Sequence, residues 1–454
     1  MKFERHKIGE LCINVTDGEH GTIINDDKGD YYLLSNKNIK NGIVVYNEKD
    51  RRINKDSFEK INKRTKLEFD DVIIATVGTI GRTAIIKDIG LKYDFQRSVG
   101  IYKVDKSVLL PEFLHYYFQL PYVQKRLINL STGAVQKCLF IGDLKNIDID
   151  IPIDFNYQKQ IAKVLSDLDA KIEVNNKINQ ELESMAKTLY DYWFVQFDFP
   201  DAKGKPYKAS GGKMVFNADL KREIPEGWEV KELQNISKCI MGQSPKGESY
   251  NKDEIGIPLL NGPADYENGA LKGRTYTTSP TRLCAKNDMV LCIRATIGNL
   301  VYSEQEFCLG RGVAAVRPNE ERFSELVFYL LLQEIERFKI QATGSIIRGI
   351  TKDDLTESKC LIPSDNLIDT FHSQVKPIFD KIRINKIENL KLSELRDWLL
   401  PMLMNGQVRV GSPVEERDVA HSYADGDLGA VEVLKQVQDD KLGMVAEEDA
   451  NYDT

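Results

Sequence analysis

The sequence predicts a mixed α/β (α+β) chain of two tandem globular domains, each followed by a long helix. The two helices are expected to pair as an antiparallel coiled coil about a pseudo-two-fold axis. Three observations lead there: one segment that occurs twice, weaker echoes in the same order, and two Gly-free stretches with matching heptad spacing.

The segment DVIIATVGTIGR, Asp71–Arg82, returns as DMVLCIRATIGN, Asp288–Asn299. Arg97-Ser98-Val99-Gly100 is echoed by Arg311-Gly312-Val313-Ala314, and Thr132-Gly133 by Thr343-Gly344. The offset drifts from 217 at Asp71/Asp288 to 214 at Arg97/Arg311 and 211 at Thr132/Thr343. Constant order with a slowly changing offset is what one fold used twice produces, with small differences in loop length. Within each copy, VIIA (72–75) and MVLC (289–292) read as buried strands that run into a Thr-Ile-Gly turn. Residues 111–130 and 321–340 carry helical spacing, and 147–153 and 359–363 read as a last strand before a helix.

From Asn156 to Trp193 there is neither Gly nor Pro. Ile161, Leu165, Leu168, Ile172, Asn175, Asn179, Leu182, Ala186, Leu189 and Trp193 alternate four and three apart, which is an a/d seam. At a fixed offset of 210 the second copy has Phe371, Val375, Ile378, Ile382, Asn385, Asn389, Leu392, Arg396 and Leu399. Arg396, in place of Ala186, adds a further polar break. A lone amphipathic helix cannot bury its stripe, so two matching ones invite pairing. The expected pairing residues are Leu165, Leu168, Ile172, Asn175 and Leu182 with Val375, Ile378, Ile382, Asn385 and Leu392. Asn175 and Asn385 are expected to meet near the axis and fix the register, as a buried Asn does in coiled coils. Pro377 should kink the second helix or mark its true start. A helix of this length spans about 55 Å at about 1.5 Å per residue.

At 454 residues, two or three domains are expected. No apolar run approaches a membrane span, and with the charged start MKFERHKIGE no signal peptide is expected. Seven scattered cysteines without a CxxC pair argue against zinc ribbons and a disulfide framework, and for a reducing cytoplasm. The net charge of −7 is concentrated at one end: Ser412–Thr454 has 12 acidic and 3 basic residues, leaving 57 acidic and 59 basic in residues 1–411. The tail, residues 409–454, is expected to be disordered.

Catalytic signatures are missing. There is no Asn-Pro-Pro-Tyr-like tetrapeptide, and Gly78–Thr83 is too short for a phosphate loop and lacks its Lys. Glu357-Ser358-Lys359 lacks a preceding strand-borne Asp, and the five histidines have no metal-ligand spacing. The aromatic run Tyr190, Tyr192, Trp193, Phe194, Phe197 and Phe199 reads as a packed joint, with a docking patch as its alternative.

Two diverged copies, each followed by a long helix, resemble the specificity subunit of a type I restriction-modification system. Leu189–Val230, LYDYWFVQFDFPDAKGKPYKASGGKMVFNADLKREIPEGWEV, is similar to that family's central connector. Leu395–Val408, LRDWLLPMLMNGQV, is similar to its distal conserved region. The resemblance covers residues 1–408 and implies target recognition domains at 1–153 and 227–364. It further implies long conserved helices at 154–195 and 365–408, and a connector at 196–226. It implies a non-catalytic reader of double-stranded DNA with a bipartite target, each domain taking one half. The helices would set the gap and dock two modification subunits, and restriction subunits would join that core. S-adenosylmethionine, ATP and Mg are then expected in the partners, with no cofactor or metal in this chain. The rival class is a coiled-coil adaptor that binds no DNA.

For DNA contact, basic or amide side chains at matching places of the copies are the candidates. They are Arg97 and Arg311, which follow the Thr-Ile-Gly segment by a similar small interval and precede small residues, Lys137 and Arg348 after the Thr-Gly turns, and Arg82 and Arg294 beside the repeated turn. Lys37, Asn38 and Lys40 belong to the polar loop SNKNIKNG, whose counterpart lies around Asn261.

Overall fold

The computed structural model describes residues 2–410, apart from 134–136, 268, 295–296 and 343–348. The acidic tail beyond Val410 and the Thr343–Arg348 echo, Arg348 included, lie outside the described residues. The chain divides into two compact units: Met1–Val174 with Glu388–Thr454, and Asn175–Ile387. The division falls inside both long helices.

In the first unit, a four-stranded sheet has the order Cys12–Asp17, Val99–Val104, Val72–Ala75, Thr83–Ile85. Every residue of Val72–Ala75 and Val99–Val104 is buried, and Val72–Ala75 accordingly reads as an unbroken apolar run. Tyr31–Leu34 pairs in parallel with Tyr93–Phe95 and antiparallel with Arg52–Ile53. Phe3–Lys7 pairs with Asp148–Pro152, so the start of the copy is tied to its end. The expected helix over 111–130 is two, Pro111–Gln119 and Pro121–Leu130. Pro121 forces Leu120 into extended backbone at ψ 131°.

The second unit repeats this plan. Its four-stranded sheet runs Ser237–Met241, Val313–Pro318, Met289–Cys292, Gly298–Tyr302. Ile257–Leu260 lies parallel to Phe307–Leu309, and Glu229–Glu232 closes against Lys359–Ile362. The repeated segment is thus a β-hairpin in each copy, with positive φ at Gly81 (87°) and Gly298 (126°). Its leading Asp is a fixed feature. Asp71 accepts from Glu68 N at 2.9 Å and from Lys103 Nζ at 2.6 Å. Asp288 accepts from Ala285 N at 2.8 Å and from Arg317 Nε and Nη2 at 2.7 and 2.8 Å. Both carboxylates are buried and anchor the central strand to its neighbour. Burial pushes the Asp71 carboxyl up to about 6, against the pull of Lys103.

The long helices are Phe155–Tyr190 and Asp365–Met404. The second starts well before Pro377 and runs through it, so Pro377 does not mark its start. Every seam position, from Ile161 to Trp193 and from Phe371 to Leu399, is buried or half-buried. Within the first unit Arg396 Nη1 donates to Asp169 Oδ1 at 2.7 Å, and Tyr116 OH donates to Asp169 Oδ2 at 2.7 Å. The odd polar seam residue therefore has a built partner. Within the second unit Asn385 Nδ2 donates to Asn179 Oδ1 at 2.8 Å. Asn385, expected to meet Asn175, is bonded to Asn179. Heptad spacing fixes which face is buried but leaves the stagger to packing. The first helix ends in a π turn, Asp191–Val195, that places Trp193 and Phe194 inside. Phe197, Phe199, Trp228 and Phe371 join them in the core of the second unit. That burial makes the aromatic run a packed joint rather than a docking patch; Tyr192 alone of the run is exposed.

His115 carries a pH dependence. Gln119 Nε2 donates to its Nε2 at 2.6 Å, leaving Nδ1–H to donate to Thr83 Oγ1 at 2.9 Å. Burial pushes its pKa from 6.5 down to about 4. The unfolded ring takes a proton near pH 6.5 and the folded ring does not, so this contribution to stability is complete above that pH and is lost as the pH falls toward 4. The loss amounts to about 3 kcal/mol. Urea denaturation followed from pH 7.5 to 4.5 should show a flatter stability profile for His115→Gln than for the wild type.

The seam amides give a second expected outcome. Asn179→Leu leaves Asn385 buried without its partner and should destabilise by about 1–3 kcal/mol. Asn179→Leu/Asn385→Leu removes both polar groups and should recover most or all of that loss in the same denaturation measurement.

Candidate nucleic-acid interface

In both copies three stretches meet at one end of the central sheet, held by the same backbone hydrogen bonds. Thr76 N donates to Ser98 O at 3.0 Å, and Ile293 N to Gly312 O at 2.9 Å. Leu139 N donates to Thr76 O, and Ile350 N to Ile293 O, both at 2.9 Å. Gly18 N and Gly242 N donate to Val99 O and Val313 O at 3.0 and 3.1 Å. A Cβ on Gly18 or Gly242 would lie 2.2 or 2.1 Å from a carbonyl oxygen, so only glycine allows this closure. These bonds establish the structural matches: Arg97 with Arg311, Val77 with Arg294, Cys138 with Gly349, and Ile141 with Lys352.

Arg97 and Arg311 stand exposed at the same point of the two copies. In the second unit Arg294 and Arg311 line one groove of about 580 Å³ together with Gly349, Ile350, Thr351 and Lys352. Lys137 is exposed beside Cys138, whose N–H donates to Thr132 O at 2.8 Å and whose carbonyl accepts from Thr132 N at 3.0 Å. Arg82 is exposed, but it follows the hairpin turn whereas Arg294 precedes it, so those two are not equivalent. Among the described residues no carboxylate forms an ion pair with Arg82, Arg97, Lys137, Arg294, Arg311 or Lys352.

The polar loop behaves differently. Lys37 is exposed but pairs with Asp50 at 3.3 Å, and Lys40 is exposed in the hairpin Ile39–Lys40/Ile43–Val44. Asn38 has to be withdrawn as a base-reading residue. It is 3% exposed; its Oδ1 accepts from Ser35 N at 3.0 Å, and its Nδ2 donates to Val45 O and Asp50 Oδ1 at 3.0 and 3.1 Å. Buried Asp265 does the same work in the second copy, accepting from Asn261 N and Gly262 N at 2.6 and 3.1 Å. Asn261 itself is exposed, with its backbone fixed by that carboxylate. Lys352 was missed by sequence reasoning. Its signal lay four residues beyond Arg348, where the two sequences no longer echo each other.

No helix among the described residues is long and apolar enough to cross a membrane. The family described as type I restriction modification DNA specificity domain matches residues 2–184 and 225–393. The putative type I restriction enzyme MjaX specificity subunit of Methanocaldococcus jannaschii is 30% identical over 316 residues, 67% of this chain and 70% of that protein. The MjaIX specificity subunit of the same organism is 25% identical over 399 residues, 84% of this chain and 88% of the relative. The crystal structure of a type I restriction-modification S subunit from M. genitalium is similar in fold, with a TM-score of 0.54 and 18% identity over 89% of this chain and 96% of that one. Two copies of one scaffold, each matched by the same description, place the chain without ambiguity: it belongs to the type I restriction-modification specificity family.

Proposed function

We propose that this chain is the DNA-reading subunit of a type I restriction-modification complex, and that each copy reads one half of a bipartite duplex target. The observation that carries the reading is the edge built twice by the same hydrogen bonds, with unpaired cations on the same scaffold and different side chains around them. Phosphate contacts supply affinity and position, and base-edge contacts supply sequence. Two similar readers in one chain suit two unlike half-sites, as symmetric dimers suit palindromes. The long helices set the gap between half-sites and dock two modification subunits, through which restriction subunits join. S-adenosylmethionine, ATP and Mg work in those partners, and this chain is non-catalytic. The complex acts in the cytoplasm, where its DNA is. A coiled-coil adaptor without DNA binding leaves the repeated cationic edge and the family membership without a role.

The test exchanges residues 1–153 for the same segment of a relative with a different target. Methylation by the assembled complex should then change in one half of the recognised sequence and keep the other half. A change in both halves, or in neither, would contradict the division of labour.

A further inference from the structure

The structural matches between the copies expose a difference that rests on the DNA-reading role above. In the first copy Val77 and Cys138 face each other as a bridged pair. Their matches in the second copy are Arg294 and Gly349. The two exchanges are coupled: a Cβ on Gly349 would lie 2.8 Å from Arg294 Cγ, so the missing side chain is what lets the arginine lie there. Lys352 stands where the first copy has half-buried Ile141, and Thr351 where it has Phe140, which is 60% exposed. Of the three groove cations only Arg311 has a basic counterpart, Arg97.

Among the described residues the groove's cations form no ion pair. Asp354, close to Lys352 in sequence, is occupied by Thr351, which donates to it from N at 2.9 Å and from Oγ1 at 2.7 Å. Arg317, Arg322 and Lys339 of the second unit pair with Asp288, Glu320 and Glu336. Three cations around one groove of about 580 Å³, none of them in an ion pair among the described residues, fit a ligand that brings its own negative charge.

We propose that Arg294, Arg311 and Lys352 form a backbone-phosphate clamp that belongs to the second copy alone. At the places matching Arg294 and Lys352 the first copy has Val77 and Ile141, and with Phe140 they make a more apolar face, so its exposed cations Arg97, Lys137 and Arg82 meet DNA at other points of the scaffold. The clamp residues fix the DNA's position and carry no sequence information.

The experiment measures duplex binding by the full chain assembled with its modification subunits, as a function of salt. Wild type is compared with Arg294→Gln/Lys352→Gln and, in the first copy, Val77→Gln/Ile141→Gln. Each released phosphate contact contributes about 0.9 to the slope of log affinity against log salt. The second-copy variant should lower that slope by about 1.8, so its affinity falls about tenfold less than wild type's between about 50 and 200 mM salt. Its ratio of target to scrambled-duplex affinity should stay unchanged. The first-copy variant should leave the slope where it was. An unaltered slope in the second-copy variant, or a changed sequence preference, overturns the clamp while leaving DNA reading intact. Absence of salt-dependent duplex binding by the wild type overturns the DNA-reading role itself. Both variants alter exposed or half-buried side chains, and a thermal unfolding midpoint matching wild type identifies properly folded protein.

Discussion

Neither globular copy closes its core with its own residues. In the first unit Leu399, Leu400, Leu403 and Met404, from the far end of the chain, pack among Ile161, Leu165, Phe113 and Leu144. In the second, Ala186, Tyr190, Trp193 and Phe194, from the helix that follows the first copy, pack against Phe371, Val375 and Tyr329. A long amphipathic helix is marginal alone and gains its stability from tertiary burial. The helices and the domains therefore depend on each other. Contacts so distant in sequence carry a loop-closure cost and should make folding slow compared with helical bundles of similar size.

On that frame the two copies are conserved in backbone and divergent in side chains. The buried aspartate, its basic strand partner, the close-approach glycine and the three edge hydrogen bonds recur with near-identical geometry. Around them Val77 becomes Arg294, Cys138 becomes Gly349 and Ile141 becomes Lys352. A rigid scaffold that presents exchangeable side chains is what a reader of two different half-sites requires.

Much of this was legible in the sequence because it depends on periodicity. Unbroken apolar runs marked Val72–Ala75 and Met289–Cys292 as strands buried on both faces, and four-three spacing marked the helix seams. What periodicity does not encode is stagger, and it did not point to the bond between Asn179 and Asn385. Composition does not reveal burial inside a polar loop either. Asn38 looks like a recognition amide, yet both ends of its side chain are used to hold the loop shut. Echo-hunting also has a blind spot, since it finds residues that match. Arg97 and Arg311 were found because both are arginine. Lys352 and the distinction between Arg82 and Arg294 needed backbone hydrogen bonds to align positions whose side chains differ.

The central claim is that one fold used twice reads two half-sites. The most direct measurement is the map of methylated bases in the genome of a host that carries this chain with its modification subunits, compared with a host lacking it. The account predicts a two-part motif, with two different specified halves separated by an unspecified gap of fixed length. A single continuous motif, or two halves with variable spacing, would contradict it.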